Sequence, residues 1–170
     1  MKFLTRDESA AWAKQRGYPL ASHEDGLVRL SRNFNRLPFH SALFPIPTDS
    51  GRKSHLAKSL YSLVGDDDEI LLWIDHWAIW PSSQHPPLFS RLRQSFGTAQ
   101  SLDEAPGQLL AKDEADDAIS IILVALIFIW DCHILTSSGR LALYVSHDEY
   151  GWIASHDQLE VETARKQLPK

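Results

Sequence analysis

The last third of the chain carries the residue types that could do chemistry. Imidazole, hydroxyl and carboxyl side chains stand there beside two apolar runs, of which the longer covers residues 121–130. A serine nucleophile needs a histidine within hydrogen-bond reach, and that histidine needs a carboxylate to orient it. A hydrolase of this kind would use the candidate catalytic residues Asp131, His133, Ser146, His147 and Asp148.

Known catalytic motifs do not surround these residues. The chain contains no Gly-x-Ser-x-Gly sequence, which would place a serine on a strained turn beside an oxyanion hole. The histidines and aspartates are also possible metal ligands, but no spacing matches His-Glu-x-x-His, a Cys-x-x-Cys pair or an EF-hand. We therefore predict neither a metal nor a cofactor, and an enzyme is the alternative to a binding protein.

Two predicted strands, residues 127–135 and 140–147, position the candidate residues. They are close enough in sequence to form a hairpin, and a two-residue turn at Ser138 and Gly139 would set its register. Because side chains alternate along a strand, one face of this hairpin is apolar. That face comprises Trp130, Cys132, Ile134, Leu141, Leu143 and Val145.

The other face of the hairpin gathers the polar candidates. The same register places His133 opposite Tyr144 and Asp131 opposite Ser146. His147 falls on the apolar face if its strand stays regular to that point. The structural alternative is a half-exposed sheet face with polar cross-strand pairs, which needs no catalytic role.

The apolar run from residue 70 to residue 80 predicts a central strand that is covered on both faces. Asp75 and His76 interrupt this run as buried polar residues. A buried carboxylate is costly unless it is paired, and Arg91 or Arg93 is a possible partner for Asp75. Since unusual buried groups gather at functional sites, both residues are further candidates.

Cap and stop signals predict five helices. Thr5 and Glu8 form a capping box at the first, and Gly17 ends it. Ser155 with Gln158 looks like another capping box, which would open the last helix. The predicted helices cover residues 5–17, 49–65, 86–97, 113–126 and a C-terminal segment from 155.

The remaining segments complete the predicted fold. Residues 98–111 are predicted to be a loop, and residues 37–46, which contain Pro38 and Pro45, a short or edge strand. We therefore predict an α+β (or α/β) fold, with a single mixed, mainly antiparallel sheet and helices packed on it. A length of 170 residues fits a single globular domain covering residues 1–170.

Composition and charge argue against several classes of protein. The chain has one cysteine, which excludes a disulfide framework, and its longest apolar run is shorter than the roughly 20 residues of a membrane span. The N-terminal residues lack the apolar core of a signal peptide, so we expect a cytoplasmic protein with no membrane association. A net charge of −5 argues against nucleic-acid binding.

Acidic clusters and six tryptophans indicate a protein-binding surface. An acidic face attracts a basic partner, and tryptophan is favoured at interface hot spots. Solvated loops and helix starts would explain the same charges without a partner. We expect Trp73 and Trp77 to share one face of the central strand. The predicted binding residues are Trp80, Asp113, Glu114, Asp116, Asp117, Tyr144 and Glu149.

Residues 130–133 (Trp-Asp-Cys-His) and 146–149 (Ser-His-Asp-Glu) resemble the strand ends of small bacterial α/β proteins of unassigned function. Some of these proteins are similar to the immunity proteins of polymorphic toxin systems. The resemblance covers about 30 residues and implies a cytosolic inhibitor, of the immunity or antitoxin type, that binds a co-encoded toxin. Protein binding is therefore the leading function, with a hydrolase or a homo-oligomeric structural module as alternatives.

Overall fold

The computed structural model describes residues 1–22, 28–30, 39–77 and 85–169. Within these ranges the chain forms five helices and nine strands, which confirms the predicted α+β fold. The helices are α1 (Arg6–Gln15), α2 (Ser50–Val64), α3 (Pro86–Ser95), α4 (Ala115–Phe128) and α5 (Gln158–Gln167). The strands are β1 (Lys2–Leu4), β2 (Leu20–Ser22), β3 (Val28–Leu30), β4 (His40–Pro45), β5 (Glu69–His76), β6 (Gly107–Ala111), β7 (Asp131–Thr136), β8 (Leu141–Val145) and β9 (Tyr150–Ser155).

Seven of the strands form one sheet in the order β1-β6-β5-β7-β8-β9-β4. Each pairing between neighbours in this sheet is antiparallel. As predicted, β5 lies inside the sheet and β4 lies at its edge, while β2 and β3 form a separate antiparallel pair. In the described ranges, no helix has both the length and the apolar character needed to cross a membrane.

The predicted hairpin of β7 and β8 is confirmed together with its register. Cys132 pairs with Val145, and His133 pairs with Tyr144. The predicted apolar face packs into the larger core, which α2 and α4 cover. The opposite face is buried as well, because α1 and Tyr18 pack onto it and form a second core. The expectation of a half-exposed face is therefore corrected, since the sheet is covered on both sides.

Two strands correct the sequence-based predictions. β6 lies within the segment predicted as a loop, where it pairs with both β1 and β5. β9 lies where a turn and a helix cap were expected, and α5 instead follows Asp157, whose carboxylate accepts the Leu159 N–H over 2.8 Å. Ser155 belongs to β9, and its hydroxyl donates to the carbonyl of Arg140 over 2.8 Å. Short strands buried on both faces show no polar alternation, so neither gave a strand signal.

The end of α4 also differs from the prediction. The helix reaches Phe128, and β7 begins at Asp131 instead of near residue 127. Ile129 ends the helix with φ 56°, in the left-handed region, and the Trp130 N–H bonds back to the Ala125 carbonyl over 2.9 Å. Glycine is the usual residue at this position, so a β-branched isoleucine gave no signal for the end of the helix.

The outer edge of β4 lacks two of the backbone groups with which a further strand would pair. The Ile46 N–H donates to the Glu149 carbonyl over 3.0 Å, which continues the ladder between β4 and β9. Backbone groups alternate in direction along a strand, so those of Leu43 and Pro45 point away from β9. Pro45 has no N–H, and Arg165 of α5 donates its Nε–H to the Leu43 carbonyl over 2.9 Å. Proline and an added side-chain bond both block edge pairing.

Candidate functional site

A β-bulge in β5 places the side chains of Asp75 and His76 next to Asp131 of β7. We call these three residues, together with His147, the cluster. The ladder pairs Ile74 with Cys132 and then His76 with Asp131, so that Asp75 is an extra residue in β5. The bulge therefore turns the His76 ring toward both carboxylates. Its Nδ1 lies 3.4 Å from Asp131 Oδ2 and 3.8 Å from Asp75 Oδ2. Bulges commonly redirect side chains in this way next to functional sites.

The same bulge separates the tryptophans of the central strand. Trp73 lies in the core beneath α1, whereas Trp77 packs against the larger core on the other side of the sheet. The prediction that these two residues share a face is therefore wrong, because the extra residue breaks the alternation between them. Trp80, which was predicted to anchor a partner, lies outside the described residues.

Asp131 is the centre of the cluster and is fully buried. Its Oδ1 accepts the backbone N–H of His147 over 2.8 Å and lies 2.8 Å from Nδ1 of the same residue. Since an ionised carboxylate only accepts, the ring proton of His147 sits on Nδ1. The other ring nitrogen, Nε2, lies 3.5 Å from Asp148 Oδ1. β8 ends at Val145, so the turn brings His147 to Asp131 instead of placing it on the apolar face.

The second buried carboxylate belongs to Asp75 and is paired from α1. Arg6 Nη1 lies 3.3 Å from Asp75 Oδ1, and the Asp75 side chain is 1% exposed. The predicted partner Arg93 is bound elsewhere, because its guanidinium donates to the carbonyls of Gln100 and Ala105. Burial lowers the pKa of Arg93 to about 10. Arg6 gave no signal as the partner, since 69 residues separate it from Asp75.

His133 and Tyr144 lie apart from this cluster, in an aromatic layer of the core. Both side chains are fully buried, and their rings are 4.7 Å apart. Trp73 and Trp152 complete the layer, at 6.3 and 6.4 Å from the His133 ring. This placement removes Tyr144 from the predicted binding surface. It also separates His133 from the other candidate catalytic residues.

Ser146 does not complete a catalytic triad in the described part of the chain. Its Oγ accepts the Asp148 N–H over 3.2 Å, and its own N–H donates to the Tyr150 carbonyl over 2.9 Å. No hydrogen bond between described residues joins the Ser146 hydroxyl to a histidine. Ser146 therefore stabilises the turn between β8 and β9, and the cluster contains an oriented Asp–His pair without a serine nucleophile.

Metal binding finds no support in the cluster. In the ranges the structure describes, no three histidine, cysteine, aspartate or glutamate side chains are arranged to hold a metal ion. The chemistry available to Asp131 and His147 is proton transfer, because Asp131 holds the Nδ1–H and the second ring nitrogen, Nε2, is the one that can take up or release a proton. The His147 side chain is 24% exposed, so a ligand can reach this ring.

The predicted acidic binding residues at the start of α4 divide into bound and exposed groups. Glu114 accepts the Ala111 N–H over 2.9 Å and pairs with the Met1 ammonium, so it has a structural role. Asp116 and Asp117 occupy the first turn of α4, where negative charge favours the helix dipole. Asp113 and Asp116 are exposed, as is Glu149 in the turn after β8.

A larger acidic feature, which we call the acidic cleft, lies at the opposite end of the β7–β8 hairpin. It has a volume of about 1330 Å³ between α2, the α2–β5 turn, the β7–β8 turn and α5. Two guanidinium groups, from Arg16 and Arg140, line it. The carboxylates that line it are those of Asp66, Asp67, Asp68, Glu69, Asp157 and Glu160.

Arg140 holds the walls of the acidic cleft together. It donates to Glu160 Oε1, to the Leu63 carbonyl over 3.1 Å and to Asp67 Oδ2 over 3.4 Å. Burial alone would lower the pKa of Arg140, but the bonds to Glu160 and Asp67 outweigh it and raise the pKa. Asp67 also accepts the Ser138 N–H over 3.0 Å. Two of the carboxylates are therefore fixed in position by the cleft itself.

Other carboxylates of the acidic cleft face solvent. Asp66, Asp68 and Asp157 are exposed, and the Asp66 side chain is 97% exposed, with Lys112 Nζ 4.0 Å away. Residues 66–69 are all acidic in the sequence, but the sequence gave no sign that Asp157 and Glu160 lie beside them. A pattern along the chain cannot report a site built from segments about 90 residues apart.

Comparisons with protein-family models, with curated proteins and with solved structures give no match to this chain.

Proposed function

We propose that this chain is a small protein-binding module whose acidic cleft receives a basic segment of a partner protein. The observation that carries this proposal is the cleft itself, a volume of about 1330 Å³ lined by six carboxylates and only two guanidinium groups. Complementary charge steers a basic partner toward such a surface and selects against acidic ones. The exposed side chain of Leu159 at the cleft, 68% accessible, adds an apolar contact.

The ion pairs of Arg140 make part of the acidic cleft rigid before a partner binds. Arg140, Asp67 and Glu160 already hold one another, so these side chains lose little freedom when a ligand arrives. The exposed carboxylates of Asp66 and Asp68 remain to meet lysine or arginine side chains. Exposed ion pairs are individually weak, so affinity depends on several acting together and falls as salt rises.

A finer form of the proposal is a cytoplasmic inhibitor of the immunity or antitoxin type. It rests on the resemblance of the two strand-end segments and on the acidic cleft, which suits a toxin with a basic surface. Calorimetry with the product of a neighbouring gene tests this form directly. Failure of every co-encoded candidate to bind would exclude the inhibitor role while leaving the binding module itself to the peptide test below.

Titration with a fluorescein-labelled lysine decapeptide tests the binding module. The cleft variant Asp66→Asn with Asp68→Asn should weaken binding roughly fivefold at low salt, since each exposed pair contributes about 0.2–1 kcal/mol. The matched control is Asp113→Asn with Asp116→Asn, which makes the same change in net charge on exposed residues outside the cleft. Equal weakening in both double variants, or no binding by the unaltered chain, contradicts the proposal.

One observation favours a second function, acid–base hydrolysis at the other end of the hairpin. Asp131 orients His147 over 2.8 Å and leaves Nε2 able to take a proton from a water molecule. Hydrolysis of p-nitrophenyl acetate by the unaltered chain and by His147→Gln tests this reading, with His55→Gln on the exposed face of α2 as the matched control. A rate equal in all three proteins, or equal to buffer, excludes it.

A further inference from the structure

The exposed face of α2 carries positive charge along the helix and meets negative charge where the helix ends. Arg52 and Lys58 are exposed, and the exposed carboxylates of Asp66 and Asp68 follow in the α2–β5 turn. In the described part of the chain, the side chains of Arg52 and Lys58 form no hydrogen bond and no ion pair. The two ends of one exposed surface therefore have opposite charge.

These charges oppose the dipole of α2. The first turn of a helix favours carboxylates, and the last turn favours cations. Among the five described helices, α2 alone has neither an acidic residue in its first turn nor a basic residue in its last turn. Arg52 lies instead in the first turn, and Asp66 follows the last. The stability of α2 itself does not explain this order of charges, whereas a partner with the opposite order would pair with it.

Ser62 lies midway between Lys58 and Asp66 on this face. Four residues advance a helix by about 6 Å and return the side chain to nearly the same face. The Gly65 N–H donates to the Tyr61 carbonyl over 2.7 Å, which continues the helical turn toward Asp66. Ser62 and Asp66 both line the acidic cleft. The basic part of α2 therefore ends at the rim of the cleft.

We propose that the acidic cleft binds the basic part of α2 from a second copy of this chain, in a dimer whose two-fold axis passes beside Ser62. The two α2 helices then run antiparallel, and Lys58 of each copy meets Asp66 of the other. Arg52 of each copy lies beyond the end of the facing helix, on the side of its acidic turn. This inference rests on the proposed function and names the basic segment that the cleft binds.

The symmetry of this arrangement suits the charges. The two copies of Lys58 lie about 12 Å apart along the helix axes, so like charges stay separated while unlike charges meet. The small side chain of Ser62 at the axis lets the two helices approach closely. Because the same surface meets itself, the contact closes at two copies and does not extend into a filament.

The dimer should be weak and should depend on salt. Exposed ion pairs contribute little each, although the two-fold axis doubles every pair. Each copy has a net charge of −5, so long-range repulsion opposes association at very low salt. At about 0.1 M salt, charges more than about 10 Å apart are largely screened, whereas adjacent pairs still attract. The contact should therefore be strongest near that salt concentration.

Sedimentation equilibrium of the full chain tests the proposal at about 0.1 M salt and at up to about 1 mM of chain. We expect the apparent mass to rise with concentration from that of one chain toward that of two. About 1 M salt should return it toward the mass of one chain. The lysine decapeptide should do the same, because it competes for the cleft.

Two charge reversals and their mixture make the test specific to α2. Lys58→Glu alone and Asp66→Lys alone should each raise the dissociation constant of the dimer at least about tenfold, because two attractive contacts become repulsive. Mixed in equal amounts, the two variants should associate with each other, since the mixed pair has only attractive contacts at these positions. The matched control is Lys14→Glu on the exposed side of α1, which makes the same charge change as Lys58→Glu and should leave the dimer intact.

The outcomes separate this inference from the proposed function. A single-chain mass at every concentration up to about 1 mM overturns the dimer, as does a mixture of the two variants that stays monomeric. If the decapeptide binds to such a monomer, the cleft still functions as a binding site and only the second copy is excluded. If the decapeptide does not bind either, both proposals fail.

Discussion

Asp131 Oδ1 accepts two hydrogen bonds from His147, one from the backbone N–H and one from the ring Nδ1, each over 2.8 Å. The first bond ties the start of β7 to the turn after β8. The second fixes the tautomer and the direction of the ring. One buried oxygen thus closes the open end of the hairpin and orients a partly exposed imidazole of the cluster.

Asp131→Asn should therefore destabilise the protein. The amide has a single acceptor oxygen without a charge, and hydrogen bonds to charged groups contribute about 1.5–3 kcal/mol. We expect the free energy of unfolding in urea to fall by about that amount. The matched control is Asp148→Asn, whose side chain is 59% exposed and should change stability by less than about 0.5 kcal/mol. Equal losses of unfolding free energy in the two variants would contradict the stabilising role of the buried Asp131 carboxylate.

Ionisation of the Tyr18 hydroxyl should make the free energy of unfolding depend on pH in alkaline solution. Its hydroxyl accepts the Thr136 N–H and lies 2.9 Å from the carbonyl oxygens of Thr136 and Leu141. Burial raises the pKa of Tyr18 from 10.0 to about 12, although the bonds to Thr136 lower it. Between these values the folded chain keeps a proton that the unfolded chain has lost.

The sign of the effect follows from that proton. Unfolding above pH 10 releases it, so the free energy of unfolding falls as pH rises, by about 1.4 kcal/mol per unit until about pH 12. Urea denaturation at pH 9 to 11.5 measures the slope. Tyr18→Phe should lose this contribution, and an unchanged slope in that variant would assign the effect to other groups.

Gly151→Ala should lower the free energy of unfolding, because the added methyl group has no space in the packed sheet. An added Cβ on Gly151 would lie 2.2 Å from Phe44 Cζ and 2.6 Å from the Tyr144 carbonyl oxygen. A backbone oxygen cannot move aside easily, so we expect a loss near the upper end of the 1–3 kcal/mol typical of overpacking. Gly97→Ala is the comparison, because Gly97 has φ 86° and open space around it. Thermal unfolding of Gly97→Ala should show the smaller loss of unfolding free energy, about 1–2 kcal/mol.

Cys132 should be unreactive in the folded protein. It is 1% exposed, and burial raises the pKa of its thiol, so almost none is present as the reactive thiolate. We expect Ellman's reagent to label Cys132 only as fast as the protein unfolds, and quickly once denaturant is added. Labelling of the native protein at the rate of a free thiol would contradict the buried position of β7.

Local signals in the sequence predicted much of this fold. The capping box at Thr5 and Glu8 is confirmed, since its two hydrogen bonds are present, and so is the register of β7 and β8. Both depend on residues close in sequence, where turn length and alternation decide the geometry. The sequence did not predict β6, because a short strand that is paired on both sides needs neither alternating polarity nor flanking turn signals.

The candidate sites depend on contacts that the sequence does not encode locally. Asp131 and His147 were both candidates, but their direct bond arises because the strand ends before His147. The position of His76 depends on a bulge that is visible only when β5 and β7 pair. The acidic cleft joins turns and helices whose contact follows from the order of the whole sheet.

The closed edge at β4 limits how copies of this chain can meet. Strand-to-strand addition along β4 would have to break the bond from Arg165 to Leu43 and would find no donor at Pro45. A growing stack of molecules, of the kind that seeds fibrils, therefore cannot start easily from this side. Side chains therefore carry more of the recognition in any complex that forms here, and its specificity can change by substitution without altering the backbone of the sheet.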